Sequence, residues 1–192
     1  MNLVIADDLR LNRIVDVFDR LFSDQFNTRL QGGAAEPIYI PAGDLADGYE
    51  ICDYHRLYFR EDYFSSALHE SAHWCIAGSE RRLQVDFGYW YNPDGRSQQQ
   101  QRVFERAETK PQALEWMFSL ACGQKFSISA DNLASDLGAS EDFIHAVVQQ
   151  AQDWCCGSPM PPRGDQFLQA LMDQFEKTDI KCVKQYQQAK LV

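Results

Sequence analysis

His69-Glu70-Ser71-Ala72-His73 sets two imidazoles four residues apart with a carboxylate beside the first. On an α-helix, positions i and i+4 share a face, so both rings can aim a nitrogen at one ion. The adjacent Glu70 can then act on a water held by that ion. With four histidines and ten glutamates among 192 residues, a shuffled chain would carry this string with a probability on the order of 0.4%. The competing reading is a core helix that happens to hold two packed or solvated histidines. A catalytic ion also needs a third protein ligand, and a carboxylate leaves positions open for water or substrate. Glu105 and Glu108 are the candidates, three residues apart on a downstream helix, with Glu115 two turns beyond. Thr109-Lys110-Pro111-Gln112 reads as a capping box, which predicts a bend near Glu108, as a kinked helix or as two helices. Pointing out of a helix end, Glu108 is the first choice and Glu105 the second. His55 offers one more imidazole, at a spacing that nothing constrains.

The same donors serve two chemistries. With zinc, Glu70 would be the general base of a peptidase or nuclease; with ferrous iron, two histidines and a carboxylate support reactions with dioxygen. The continuation Trp74-Cys75-Ile76-Ala77-Gly78-Ser79 lacks the further glycine and third histidine of metzincins, which removes one protease class. A second cluster runs from Asp86 to Arg96. Its aromatic strand, Leu83 to Tyr91, leads into a turn at Asn92-Pro93-Asp94-Gly95. The faces of Tyr89 and Tyr91 beside Asp94 suit a cationic side chain such as lysine; a core strand with an ordinary turn is the plainer alternative.

These residues must be held by ordinary globular elements. The chain is 45% hydrophobic and 24% charged, enough for one domain with a real core. A single α/β (α+β) domain over residues 1–192 is expected, with its core at about 9–176 and a polar tail at 177–192. The net charge of −10 disfavours nucleic acid and anionic membranes as partners. The N-terminus lacks the charged and apolar regions of a secretory leader, and no run approaches the ~20 apolar residues of a membrane span, so the cytoplasm is expected. The six cysteines show no paired spacing and read as reduced, with Cys75 a small apolar filler. No oligomeric state is encoded, and a monomer is the expectation.

Apolar spacing predicts a helix over Asp8 to Phe22. Gly32-Gly33 reads as a flexible break, and Glu36 to Pro41 as an edge strand bounded by prolines. Tyr49 to Phe59 is a further strand. The helix bearing the histidines has Ser65 or Ser66 as N-cap and Gly78 as its stop. Helices follow over Gln98 to Glu108, through Leu114 to Ala121, over Glu141 to Cys155 and over Asp165 to Phe175, with Gly157 to Pro162 a connector.

Several strings in order resemble a known family, the bacterial elongation factor P hydroxylases. They are His69-Glu70-x-x-His73-Trp74-Cys75-Ile76-Ala77-Gly78, Arg81-Arg82, Asp86-Phe87-Gly88-Tyr89-Trp90-Tyr91-x-Pro93-Asp94-Gly95-Arg96, Phe104-Glu105 and Lys110-Pro111-Gln112-Ala113-Leu114. Phe26-Asn27-Thr28-Arg29-Leu30 and Glu36-Pro37-Ile38-Tyr39 add to them, and the likeness spans about Leu9 to Phe175. It implies hydroxylation of the β-lysylated lysine of elongation factor P by a non-haem iron, with dioxygen as co-substrate. The implied ligands are His69, His73 and Glu108. Asp94, Arg96 and the Tyr89 to Tyr91 aromatics would line the approach of the lysyl arm, and Glu70 would orient a ligand or a water. The implied fold resembles a metal-dependent ribonuclease, zincin-like rather than a jelly roll.

Overall fold

The computed structural model describes residues 2–87, 96–130 and 138–188, with side chains from residue 9 onward. Its elements are α1 (Asn2–Phe26), β1 (Thr28–Ala34), β2 (Ile38–Ile40), β3 (His55–Arg60), α2 (Phe64–Ile76), α3 (Gln98–Ala121), α4 (Glu141–Cys155) and α5 (Pro162–Gln174). Two short 3₁₀ turns, Arg81–Leu83 and Val183–Gln185, complete them. The chain is thus a mixed α/β structure of helices around a small three-stranded sheet.

α1 buries Leu11, Ile14, Val17, Phe18 and Phe22 along one stripe, and it is longer at both ends than apolar spacing predicts. Asn27, at φ 47°, turns the chain out of it, a left-handed position that asparagine tolerates. The sheet order is β1-β3-β2, with β1 parallel and β2 antiparallel to the central β3. β2 is an edge strand, as its flanking prolines predict. Its outer side is met by Asp86, whose backbone exchanges two hydrogen bonds with Tyr39, at 2.7 and 2.9 Å. On the opposite edge, the Leu30 N–H of β1 donates to the Asp19 carboxylate at 2.9 Å.

Gly32-Gly33 is part of β1 and no flexible break. The register slips between Gln31 and Ala34, and Gly33 takes φ +82° there, the signature of a bulge. A methyl at Gly32 would lie 2.5 Å from Asp62 Oδ1 and 2.9 Å from both Glu61 O and Phe59 Cζ. Gly32→Ala is therefore expected to destabilise the protein by about 1–3 kcal/mol through overpacking. A urea midpoint that stays at the wild-type value would show that the strand has slack.

α2 packs against β3, α1, α3 and α5. Its anchor is Trp74, whose ring sits 5.0 Å from Phe18, 4.8 Å from Phe22 and 5.5 Å from Phe26. Neither Ser65 nor Ser66 caps it. Tyr63 occupies the cap position, and the Ser66 hydroxyl accepts the Arg60 N–H of β3 instead. The helix closes at Ala77, one residue before Gly78. Beyond it the strand expected from Leu83 is replaced at its start by the 3₁₀ turn, with Leu83 exposed; Asp86 forms an isolated bridge to Tyr39, and residues 88–91 lie outside the described residues.

α3 is one helix, which corrects the two-helix form of the predicted bend. It runs unbroken through Pro111, and its capping box is Ser97 with Gln100. The Thr109 hydroxyl donates back to Glu105 O within the helix. α4 and α5 flank the expected connector, α4 capped by Ser140 and α5 started by Pro162. The tail is more than polar surface: Ile180 and Tyr186 are buried in the main core. All six cysteines are free, and Cys75 is buried. No described helix is long and apolar enough to cross a membrane.

Candidate metal centre

Because α2 crosses α3, the histidine face of one helix meets the middle of the other. His69 Nε2 lies 3.0 Å from His73 Nε2 and 3.7 Å from Glu108 Oε2, and His73 Nε2 lies 3.2 Å from Glu108 Oε1. One ligating atom from each of these three residues falls within 4.8 Å of the others. Donors bonded to one ion at about 2.1 Å sit about 3.0–3.4 Å apart, so the residues present fit a metal.

Glu108 is 6% exposed and Glu105 7%, yet only Glu108 reaches the histidines. Glu105, on the adjacent face, accepts from the Ser140 hydroxyl at 2.7 Å and its N–H at 3.3 Å. Its carboxylate thus holds the start of α4. His55 is also elsewhere: Nδ1 accepts the Ala42 N–H at 2.9 Å and the ring stacks on Tyr39, with burial and then Arg82 lowering its pKa.

Two further residues contribute: Glu115, noted two turns beyond the ligand candidates but given no role, and Gln112, which sequence reasoning passed over. Glu115 Oε2 meets His69 Nδ1 at 2.7 Å, which fixes that nitrogen as the protonated one and leaves Nε2 facing the cluster. Gln112 donates to Glu108 Oε2 at 3.4 Å and pairs twice with the Ser129 backbone. Glu108, Gln112 and Glu115 stand at i, i+4 and i+7 on one face, and the capping-box reading of Thr109 to Gln112 hid the part of Gln112.

The cluster opens on a cavity of about 300 Å³, walled by Phe87, Phe104 and Arg60 among others, and reached by Glu70. Glu70 is 9% exposed, and burial, opposed by His69 and His73, raises its pKa. Arg96 does not line this cavity. Its guanidinium stacks on Phe104 at 4.0 Å, donates to Gln101 Oε1 and Ala130 O, both at 2.9 Å, and borders a separate cleft of about 890 Å³. Packing, more than access to the histidine pair, accounts for its position. Tyr89, Tyr91 and Asp94 lie outside the described residues.

Without an ion the site is a charge network. Burial would raise the Glu108 carboxyl, but His73, by charge and hydrogen bond, and His69 pull it down to about 2. Burial likewise opposes charge on His69, yet Glu115 and then Glu108 outweigh it and raise the imidazole to about 10. That value lies above the unfolded one of about 6.5. The stability it contributes to the metal-free protein is therefore full below about pH 6.5 and lost as pH rises through about 10. A bound ion must displace the same proton, so metal affinity is expected to rise about tenfold per pH unit between roughly pH 6.5 and 8.5. Equilibrium dialysis against a divalent cation checks this. Glu115→Gln should flatten the slope, and a flat slope in the wild type would contradict it.

Comparison with known proteins places this architecture. The family model for elongation factor P hydroxylase matches residues 17–185. The curated elongation factor P lysine hydroxylase of Haemophilus influenzae is 43% identical over 182 residues, covering 91% of this chain and 98% of that protein. The family match runs from α1 through α2 and α3 to residue 185 of the tail, and on that basis the chain belongs to the elongation factor P hydroxylase family.

Proposed function

We propose that this chain hydroxylates the β-lysylated lysine of elongation factor P, with ferrous iron held by His69, His73 and Glu108 and dioxygen as co-substrate. The observation that carries this reading is the convergence of two imidazoles and one carboxylate, the donor set of non-haem ferrous oxygenases, in a member of this family. When bound, the iron supplies the oxidising chemistry that side chains lack.

The protein's own part is positioning. Glu115 orients His69, and Gln112 steadies Glu108. The cavity of about 300 Å³ admits one extended side chain, and Phe87 and Phe104 shield its aliphatic stem so that one C–H bond is presented. Glu70 is the cavity carboxylate committed to neither histidine, and its role here is to accept a hydrogen bond from the substrate's ammonium group or from a water beside it. Tyr89, Tyr91 and Asp94 complete the approach for that cation, with Arg96 bracing its wall through Phe104. Action in the cytoplasm as a monomer, and a fold akin to metal-dependent ribonucleases, belong to the same proposal.

The test is aerobic incubation with ferrous iron and β-lysylated elongation factor P, followed by intact mass. Gain of one oxygen, lost in His69→Ala, supports the proposal. No gain, with cleavage of a peptide or an RNA under zinc instead, would overturn it in favour of a hydrolase using Glu70 as base.

A further inference from the structure

Arg81-Arg82, one of the strings that carry the family likeness, supplies none of the three candidate ligands. Past the end of α2 these two residues meet Arg163 of α5 around the edge of Trp74. Arg81 is paired with Asp86. Arg163 donates to Trp74 O at 2.9 Å and Ala77 O at 2.5 Å, a cation on the last carbonyls of a helix. The Arg82 guanidinium lies against two aromatic rings, 5.3 Å from the Phe26 ring centre and 5.8 Å from that of Trp74. Arg163 lies 5.4 and 4.7 Å from the same two rings.

Two cations therefore share one aromatic platform, and of the two carboxylates in that wall Asp86 already serves Arg81, while Glu70 sits beside His69 and His73. Burial and then the charge of Arg82 push the Arg163 pKa down, as expected of like charges without a counterion. Nε of Arg82, Nε of Arg163 and Nε1 of Trp74 are each shut off from solvent with no hydrogen-bond partner, although Trp74 is only 3% exposed. Buried donors are seldom left unmade, least of all on cations. Trp74, Arg81, Arg82 and Asp86, with Tyr39, Glu70 and His73 on the side toward the metal centre, line a small cavity of about 30 Å³, room for about two waters or one carboxylate.

We infer that this cavity is an anion site taking a single carboxylate group, held by the Arg82 fork and the Trp74 indole N–H, with Arg163 as the second positive charge. A carboxylate suits it better than a phosphate, because the space is small and Asp86 and Glu70 in the wall oppose a dianion more than a single negative charge. The carboxylate can belong to a free small acid or to an aspartate or glutamate of a docked protein. On a chain of net charge −10, an uncompensated cation pair is where an acidic partner meets attraction instead of repulsion.

The experiment follows the four tryptophan indole N–H resonances of the intact protein, with that of Trp74 identified by its loss in Trp74→Phe. Acetate and a blocked Gly-Glu-Gly peptide are titrated separately, against sodium chloride at equal ionic strength. A saturable shift of the Trp74 signal, absent in Arg82→Gln and weakened in Arg82→Lys, supports the site. Tighter saturation by the peptide assigns it to a protein carboxylate, and equal or tighter saturation by acetate to a free acid. Thermal melting gives a second readout. In chloride, Arg82→Gln melts at or above the wild-type temperature, because it loses a like-charge neighbour and no hydrogen bond, and only the wild type gains stability from the carboxylate. No shift with either probe, or the same shift with chloride or in Arg82→Gln, overturns the inference.

Discussion

Glu108→Gln is expected to empty the metal centre and lower hydroxylation by about 10³-fold or more, while Glu105→Gln keeps both metal and turnover within a few-fold. The two residues are equally buried and one turn apart, so burial does not separate them; their partners do. Glu108 faces two imidazole nitrogens at 3.2 and 3.7 Å, and glutamine there keeps the shape but loses the anion. Metal ions contribute several kcal/mol to the reactions they assist, and each 1.36 kcal/mol is about tenfold in rate. Glu105 instead accepts the Ser140 hydroxyl and N–H. Its neutralisation should weaken the start of α4 by about 1 kcal/mol, seen as a lower melting temperature at unchanged metal content. Metal stoichiometry by elemental analysis, beside intact-mass turnover, distinguishes the pair. If Glu105→Gln alone loses the metal, the assignment of the third ligand to Glu108 is wrong.

Tyr186→Ala is expected to cost about 3–5 kcal/mol, as large as losing a central core aromatic. Tyr186 lies in a stretch that composition describes as a polar tail, yet it is fully buried. Its ring meets Trp116 of α3 edge-on at 4.9 Å, its hydroxyl donates to Ile180 O at 2.7 Å, and its carbonyl accepts from Gln152 of α4 at 2.8 Å. At about 2–4 °C per kcal/mol for a chain of this size, the melting temperature should fall by roughly 10 °C. Tyr186→Phe removes only the hydroxyl bond and should cost about 1 kcal/mol. Truncation before Lys177 should do at least as much harm as Tyr186→Ala. A truncated protein that melts like the full chain would show that the tail does not hold α3 and α4 together.

The sequence disclosed α2 and its two histidines because helical spacing is a local property, and the same holds for α1, α4, α5 and the edge strand β2. What it misreported depended on distant partners. Thr109-Lys110-Pro111-Gln112 has the letters of a helix start, but the loss of one hydrogen bond at Pro111 does not outweigh a helix buried along most of its second half. That single misreading hid Gln112 as a support of the centre and left Glu115 without a role, although it pointed to Glu108. Gly32-Gly33 looked like a break because nothing local shows that Asp62 and Phe59 leave no room for a side chain. Ile180 and Tyr186 are isolated apolar residues without periodicity, and only the packed structure reveals where they go. Ser65 and Ser66 were good cap letters, but the end of β3 claimed the Ser66 hydroxyl first.

A three-stranded sheet exposes two rows of backbone donors and acceptors to any other chain that could extend it. Here Asp86 pairs with Tyr39 along β2, between Pro37 and Pro41, which can donate nothing. On the other side the bulge at Gly33 and the Asp19 carboxylate on Leu30 N–H interrupt β1. Both margins are thus closed to strand addition, the route by which such sheets aggregate. Burial raises the Asp19 pKa, so acid conditions unlatch the β1 margin by protonating its carboxylate, and self-association through the sheet should begin there.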